Sequence, residues 1–391
     1  MPVVKSPLAI EDAIRLALAH HPDLTAWRAR VEAAIGRTIQ VSTFPDPVFS
    51  AGIESAPIHG KTSGNAEYPI GITQTLPLGG RLGKAAQVED ARHVRLLAEL
   101  QNAILKVERN VRGAFAVSLF TRDALAVEHE LLAGSQETAK IAKARADAGD
   151  AATDEQARAE LEAARARVSI QRAEIAAKRA LIELSGALGH AQLAVSEVEG
   201  QLESSLSLPE LERVLARIEE SPILRAHAAA IEEGQAAILY EEARRVPDID
   251  VGVFYRWLAE TDENAFDVAI ALPIPIFDQR EGALRRAQAA VLEARANYQK
   301  ADTSLATTIQ TVYWKLNEEL EIARLYREEL TPRSETVLRA ADERYRAGDV
   351  SLADLIPIRR EHRELRLSYL AVLRSIATHW AEFRSLVQSR A

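Results

Sequence analysis

Four short stretches of this chain alternate apolar and polar residues, and each is isolated among alanine-rich, helix-like sequence. The third, DIDVGVFYRW (248–257), places Ile249, Val251, Val253, Tyr255 and Trp257 on one face, with Asp250, Gly252 and Arg256 between them. A period of two is the signature of a strand with one greasy and one polar side. VFSAGIES (48–55), EYPIGITQTL (67–76) and FDVAIALPI (266–274) read the same way. The expected strands are 48–57, 67–77, 248–258 and 265–275. Every charged residue inside them, Glu54, Glu67, Asp250, Arg256 and Asp267, falls on the polar side.

This pattern has two readings. A soluble, half-buried sheet shows the same alternation. So does a transmembrane barrel, whose strands of about 9–11 residues face lipid on one side and water on the other. Two features favour the second. The strand pairs are separated by whole helices, and those helices are too extended to form one lid over all four strands. Four strands do not close a barrel, and open edges are not tolerated in lipid, so the barrel reading requires several subunits to pool their strands. Tyr68, Tyr255 and Trp257 then belong at the membrane interface, and the five charged residues line the lumen.

The chain also repeats itself once. LAHHPDLTAWRARVEAA matches RIEESPILRAHAAAIEEG, aligning Pro22 with Pro222; FPDPVFSAGI matches VPDIDVGVFY; ADAGDAATDE matches YRAGDVSLAD. The matches keep their order, which divides the chain into halves 1–200 and 201–391. Each half is expected to hold a helix, two strands, a long helical stretch (82–147 and 279–347) and a return helix (152–188 and 352–388). The first helices are expected to open at the capping residues Ser6 and Ser207, before Pro7 and Pro209. About 65 helical residues span on the order of 100 Å, far beyond a globular average of about 11 or 12 residues. Thr331-Pro332 is expected to kink or split the second stretch.

Composition narrows the classes. Hydrophobic residues make up 47% of the 391 residues, but aromatics only 5%, so alanine-rich helix packing is favoured over bulky cores. A net charge of −9 opposes nucleic-acid binding. Cysteine is absent, which excludes disulfides, thiolate metal sites and a cysteine nucleophile. No run of about 18 apolar residues marks a transmembrane helix, a test that says nothing of a barrel. No signal peptide is legible in MPVVKSPLAIEDA, which fits a cytoplasmic chain or a mature one with an added Met.

Most chemical motifs fail. LGGRLGK (78–84) lacks phosphate-loop spacing and has Ala85 in place of the hydroxyl, so it reads as a strand-to-helix turn. His20-His21 diverge on a helix, and they, His227, His362 and His379 read as isolated surface residues rather than ligands. No catalytic triad is visible, so neither an enzyme nor a cofactor is expected. The two Ala-Gly-Asp turns are more informative. Gly149 and Gly348 suit left-handed helix caps, and both hairpins are expected at the same far end of an assembly.

The duplicated halves, the two strands per half, the strand exit ITQTLPLGGRLG, the segment TPRSETVLRAADERYRAGDVSLADLI and the turn residues Tyr345, Gly348, Ser351 and Asp354 resemble the TolC-type outer-membrane efflux proteins. The strand exit is similar to the CzcC- and CusC-like metal-efflux branch. The resemblance implies an α+β membrane protein: a homotrimer with a shared β-barrel in the outer membrane and a long periplasmic α-helical barrel. It implies a passive exit duct serving a periplasmic adaptor protein and an inner-membrane pump. It makes Gly149, Asp150, Gly348, Asp349 and Ser351 adaptor-facing tips. Asp354 matches the first aspartate of a constricting carboxylate ring, while Pro357 stands where a second acid often follows. The alternative is a soluble coiled-coil scaffold with a small sheet.

Overall fold

The structure is a computed structural model describing residues 7–56, 66–149, 153–190, 195–202 and 206–388. Its elements in order are α1 (Ile10–His20), α2 (Pro22–Ser42), β1 (Val48–Ala51), β2 (Glu67–Leu76), α3 (Arg81–Asp147), α4 (Thr153–Ala187), α5 (Leu211–Leu215), α6 (Pro222–Ala243), β3 (Ile249–Leu258), β4 (Glu263–Ala271), α7 (Glu281–Leu325), α8 (Thr331–Ala347) and α9 (Leu352–Val387). A single 3-10 turn, Ile218–Glu220, precedes α6, and a π-helical segment, Tyr326–Leu330, joins α7 to α8. The described fold is mostly helical with one small antiparallel sheet.

The helix starts differ from expectation. Ala9 occupies the N-cap of α1, and Glu210 that of the five-residue α5. Ser6 lies outside the described residues, and Ser207 caps nothing. The long first helix of each half instead opens at a proline, Pro22 in α2 and Pro222 in α6. A proline at the first helical position loses only an N–H that has no intrahelical partner, and its fixed φ suits the helix. His21 supplies the missing cap, its Nδ1 accepting the Asp23 N–H at 3.2 Å.

Thr331-Pro332 neither splits nor ends the second long stretch. Pro332 has no N–H for the carbonyl four residues back and crowds it. The π segment just before it absorbs the mismatch with one wider turn.

The chain forms two compact units. One comprises residues 27–100 and 222–302. It holds the sheet, in the order β1-β2-β3-β4 with every neighbouring pair antiparallel. Its helices are tied by ions: Arg92 and Arg95 both donate to Glu233, at 2.8 and 2.7 Å, and Arg280 meets Glu241 at 3.0 Å. The strand-to-helix turn uses Gly79 and Gly80, with φ of 66° and 68°. A Cβ on Gly79 would meet the Ala243 carbonyl at 2.6 Å, so glycine is required there for contact as well as conformation.

The other unit comprises residues 1–26, 101–221 and 303–391. Its core is drawn from α3 (Val111, Phe115, Leu119), α4 (Leu184), α7 (Ile309, Leu316) and α9 (Ile376, Phe383), all buried.

Two strands deviate from the expected ranges. β1 ends at Ala51 rather than 57; beyond it Glu54 makes only an isolated bridge to Glu67, and Pro57 lies outside the described residues. β4 starts two residues early and ends at Ala271 rather than 275. Pro273 has no ladder donor, which fits the early end.

Candidate functional site

The sheet register sorts its side chains into two faces. Arg256 lies opposite Pro69, Asp267 opposite Phe254, and Asp250 opposite Thr75. Directly opposed residues share a face, so Glu54, Glu67, Asp250, Arg256 and Asp267 all lie on one side. There they make a network. The Arg256 guanidinium donates to Glu67 and, at 2.8 Å, to Asp267, with Glu54 at 3.5 Å. One cation among three carboxylates leaves this cluster net negative. The Thr75 hydroxyl donates to Asp250 at 2.6 Å.

Phe254 also lies on the polar face, which alternation alone does not explain. A Cβ on Gly71 would come within 2.2 Å of its ring, and one on Gly252 within 2.6 Å. The ring therefore lies flat on two glycines of adjacent strands, keeping its bulk out of the space above the sheet.

The opposite face is greasy and bare. Phe49, Phe266 and Ile270 are 68%, 70% and 71% exposed, and Ile53, Ile72 and Val268 are also exposed. Among the described residues, no helix buries these side chains. Tyr68 stacks on Trp257, ring centroids 5.2 Å apart, and the Tyr255 hydroxyl donates to Asn264. These aromatics cluster at the end of the sheet near the strand-connecting segments. Just beyond the other end, Phe44 is 50% exposed and Phe277 98%. Sequence reasoning passed over this second aromatic pair because both residues lie outside the alternating stretches. Their signal was position, next to Pro45 and Ile276 at the strand–helix junctions.

The second region is the helical hairpin tips. Gly348 has φ 85° and Gly149 φ 80°. After α8 the turn closes with Gly348 N–H donating to the Tyr345 carbonyl (3.1 Å) and Asp349 N–H to that of Arg344 (2.9 Å), a Schellman pair. Gly149 N–H donates to the Ala146 carbonyl at 3.0 Å; Asp150 lies outside the described residues. Ser351 is the N-cap of α9. Its Oγ donates to Asp354 Oδ2 at 2.6 Å, and its N–H donates to the same oxygen at 3.3 Å. In return Asp354 N–H donates to Ser351 Oγ, completing a capping box. Asp354 is exposed and holds the start of its own helix in place.

Beneath the tips, Ala142, Ala159, Ala341, Tyr345, Leu352 and Leu355 form a buried cluster from α3, α4, α8 and α9. The Tyr345 hydroxyl donates to Glu155 at 3.2 Å. Burial, reinforced by Glu155, pushes its pKa up to about 12. Arg359 ties α9 to α8 through Asp342 (2.6 Å) and to α3 through the Gly134 carbonyl (2.9 Å). His362 is a correction to the surface reading. It is buried, its Nδ1 lies 3.1 Å from the Ser334 hydroxyl, and burial followed by the nearby Arg366 lowers its pKa. His379 is also engaged, 2.9 Å from Glu319.

Among the described residues, no group of three or more His, Cys, Asp or Glu side chains is arranged to hold a metal, and no helix is long and apolar enough to cross a membrane.

The family described as outer membrane efflux protein matches residues 13–190 and 216–387. The chain belongs to that family. It is similar to the cobalt-zinc-cadmium resistance protein CzcC of Cupriavidus metallidurans, 26% identical over 371 residues, covering 94% of this chain and 87% of that one. It is 31% identical over 287 residues to the nickel and cobalt resistance protein CnrC of the same organism, covering 72% and 67%. Its fold matches the crystal structure of CusC with a TM-score of 0.83, at 15% identity, covering 97% of this chain and 92% of that one. Membership makes this efflux protein an outer-membrane channel component rather than an enzyme, as the sequence resemblance implied.

Proposed function

We propose that three copies of this efflux protein pool four strands each into one barrel and conduct cations passively across the outer membrane. The observation that carries this reading is the bare apolar face of the sheet, together with edge strands β1 and β4 that each pair on one side only. Lipid covers such a face; an open edge in lipid must find another strand. Two copies would give eight strands, enough for a barrel filled by its own side chains, whereas three give room for water. The polar face then lines the lumen, and the excess of Glu54, Glu67, Asp250 and Asp267 over Arg256 biases it towards cations. Tyr68, Tyr255 and Trp257 sit at one interface, with Phe44 and Phe277 at the other.

The halves 1–200 and 201–391 act as a duplicated unit, supported by their common order of elements. The helical hairpins are the periplasmic part, with Gly149, Asp150, Gly348, Asp349 and Ser351 facing an adaptor protein that links the duct to an inner-membrane pump. The names of the relatives suggest divalent metal cations as cargo. The purified protein is expected to form stable cation-selective pores in planar bilayers; absence of any pore in the presence of negatively charged and neutral lipids would reject the reading.

Asp354 has two roles to separate, since the capping carboxylate is also the candidate constriction. Ser351→Ala removes the reciprocal cap, costs about 1 kcal/mol and leaves the carboxylate in place. Asp354→Ala removes both. Resting single-channel conductance is expected to rise in Asp354→Ala and to stay at the wild-type value in Ser351→Ala. An equal rise in both variants would assign the effect to the cap and remove Asp354 from the gate.

A further inference from the structure

The last two turns of α9 present Trp380, Phe383, Arg384 and Val387, spaced i, i+3, i+4 and i+7 and therefore on one face. A stripe that packs on a core is apolar throughout; here an arginine interrupts it. The face does not close against its neighbour. Between it and α5, with Pro209 and Val214 on the far wall, lies a cavity of about 720 Å³. Trp380 and Arg384 also line a second cavity, of about 280 Å³, on the side of α1 and α3.

Three arginines and no acid line the larger cavity, in a chain of net charge −9. Two of them are engaged at its rim, Arg213 with Glu210 at 2.9 Å and Arg217 with Glu220 at 2.7 Å, in exposed pairs within one turn. Arg384 is different. It is half-buried, and among the described residues its guanidinium meets no carboxylate and no carbonyl. Glu108 shares a smaller neighbouring cavity with it but pairs with Arg112 at 3.0 Å. Trp380 stacks on Phe383, ring centroids 5.7 Å apart, and its indole N–H donates to no described residue; nor does the Gln388 side-chain amide. A cation withdrawn from part of its water without a counter-charge is costly. A guanidinium offers five donors in a planar fork that fits an oxyanion.

We propose that this cavity binds a small acidic amphiphile, an apolar body carrying one phosphate or carboxylate. The head docks on the Arg384 fork, with Gln388 and the Trp380 N–H as further donors. The body lies against Trp380, Phe383 and Val214. Ligand pockets of about 300–1,000 Å³ share this make-up, apolar walls with a few convergent polar groups. An unpaired guanidinium repels metal cations, so the ligand is not the conducted cargo, and the site stands whether or not the chain forms a pore. It is also remote from the helical tips, about 50 Å along α9 from Ser351 at 1.5 Å per residue. One wall comes from the beginning of the second half and the other from its end, so a bound ligand ties the two together.

The test uses the full-length protein in phosphatidylcholine nanodiscs and calorimetric titration with 2-naphthyl phosphate. Saturable binding, one ligand per chain, is expected. Neutral 2-naphthol and inorganic phosphate are each expected to bind at least about tenfold more weakly, since each supplies only half of the contacts. Arg384→Gln is expected to weaken 2-naphthyl phosphate binding by about the same factor. Val387→Trp fills the cavity, leaves every charge in place and is expected to weaken it as much. Thermal unfolding of each variant checks that it folds, and 2-naphthyl phosphate should raise the wild-type midpoint and not that of Arg384→Gln. Native mass measurement of protein taken from membranes separates the sources of the anion. A bound lipid mass that disappears in Arg384→Gln assigns a lipid headgroup; titration without any such mass assigns a soluble anion. Wild-type affinity in either Arg384→Gln or Val387→Trp would overturn the site. So would a wild-type chain that neither titrates nor carries an acidic mass.

Discussion

Ile270→Arg is expected to remove this protein from the outer membrane, while Ala269→Arg, one residue away, leaves it there. Ile270 projects from the bare face and is 71% exposed; Ala269 lies opposite Gly252 on the polar face. In lipid, an arginine near the bilayer midplane costs about 2–4 kcal/mol per strand. In the proposed trimer three such charges fall in one barrel, so the cost multiplies. On the polar face the same side chain points into water and adds a positive charge to a lumen with an acidic excess. The measurement is membrane fractionation followed by the resistance of the trimer to heating in detergent. Ala269→Arg is expected to assemble normally and to lower cation selectivity. If both variants assemble equally, the apolar face does not meet hydrocarbon, and the soluble-scaffold alternative regains its ground.

This pair of substitutions also shows why so much of the fold was legible. A period of two changes the side of the sheet with every residue, so faces can be assigned without knowing any contact. The long helices were legible for a similar reason: alanine and charge sustained over many turns, with glycine at each end. What failed depended on contacts distant in sequence or on competition between local signals. Serines before prolines read as caps, yet Pro22 and Pro222 open the helices themselves, with a histidine acting as cap in the first case. Phe254 belongs to the polar face by alternation, but its function as a cover for Gly71 and Gly252 depends on a strand from the other half of the chain. His362 shows no sequence sign of its burial against Ser334. Of the candidate sites, the five charged strand residues share one face of the sheet as their alternation required, but their convergence on Arg256 appears only once β2, β3 and β4 are in register. For Asp354, the family resemblance implied a gate while the structure adds a cap, so the residue has a local reason to be acidic.

Tyr345→Ala is expected to loosen the helical tips more than any other single change described above. The side chain is 1% exposed and lies in the cluster where α3, α4, α8 and α9 meet. Removing a buried aromatic ring typically costs about 3–5 kcal/mol through lost burial and the cavity left behind. Ala142, Ala159 and Ala341 are too short to refill the space, which leaves only Leu352 and Leu355 of the buried cluster to relax into it. Tyr345→Phe keeps the ring and loses only the bond to Glu155, a hydrogen bond to a carboxylate worth about 1.5–3 kcal/mol at most. The two variants therefore separate packing from hydrogen bonding. Amide exchange at the ends of α8 and α9 is expected to accelerate strongly in Tyr345→Ala and mildly in Tyr345→Phe, with exchange in the sheet unchanged in both. If the tips carry the proposed constriction, Tyr345→Ala should also raise resting conductance, whereas Tyr345→Phe should leave it near the wild-type level. Unchanged exchange in Tyr345→Ala would mean that the cluster does not hold the tips together.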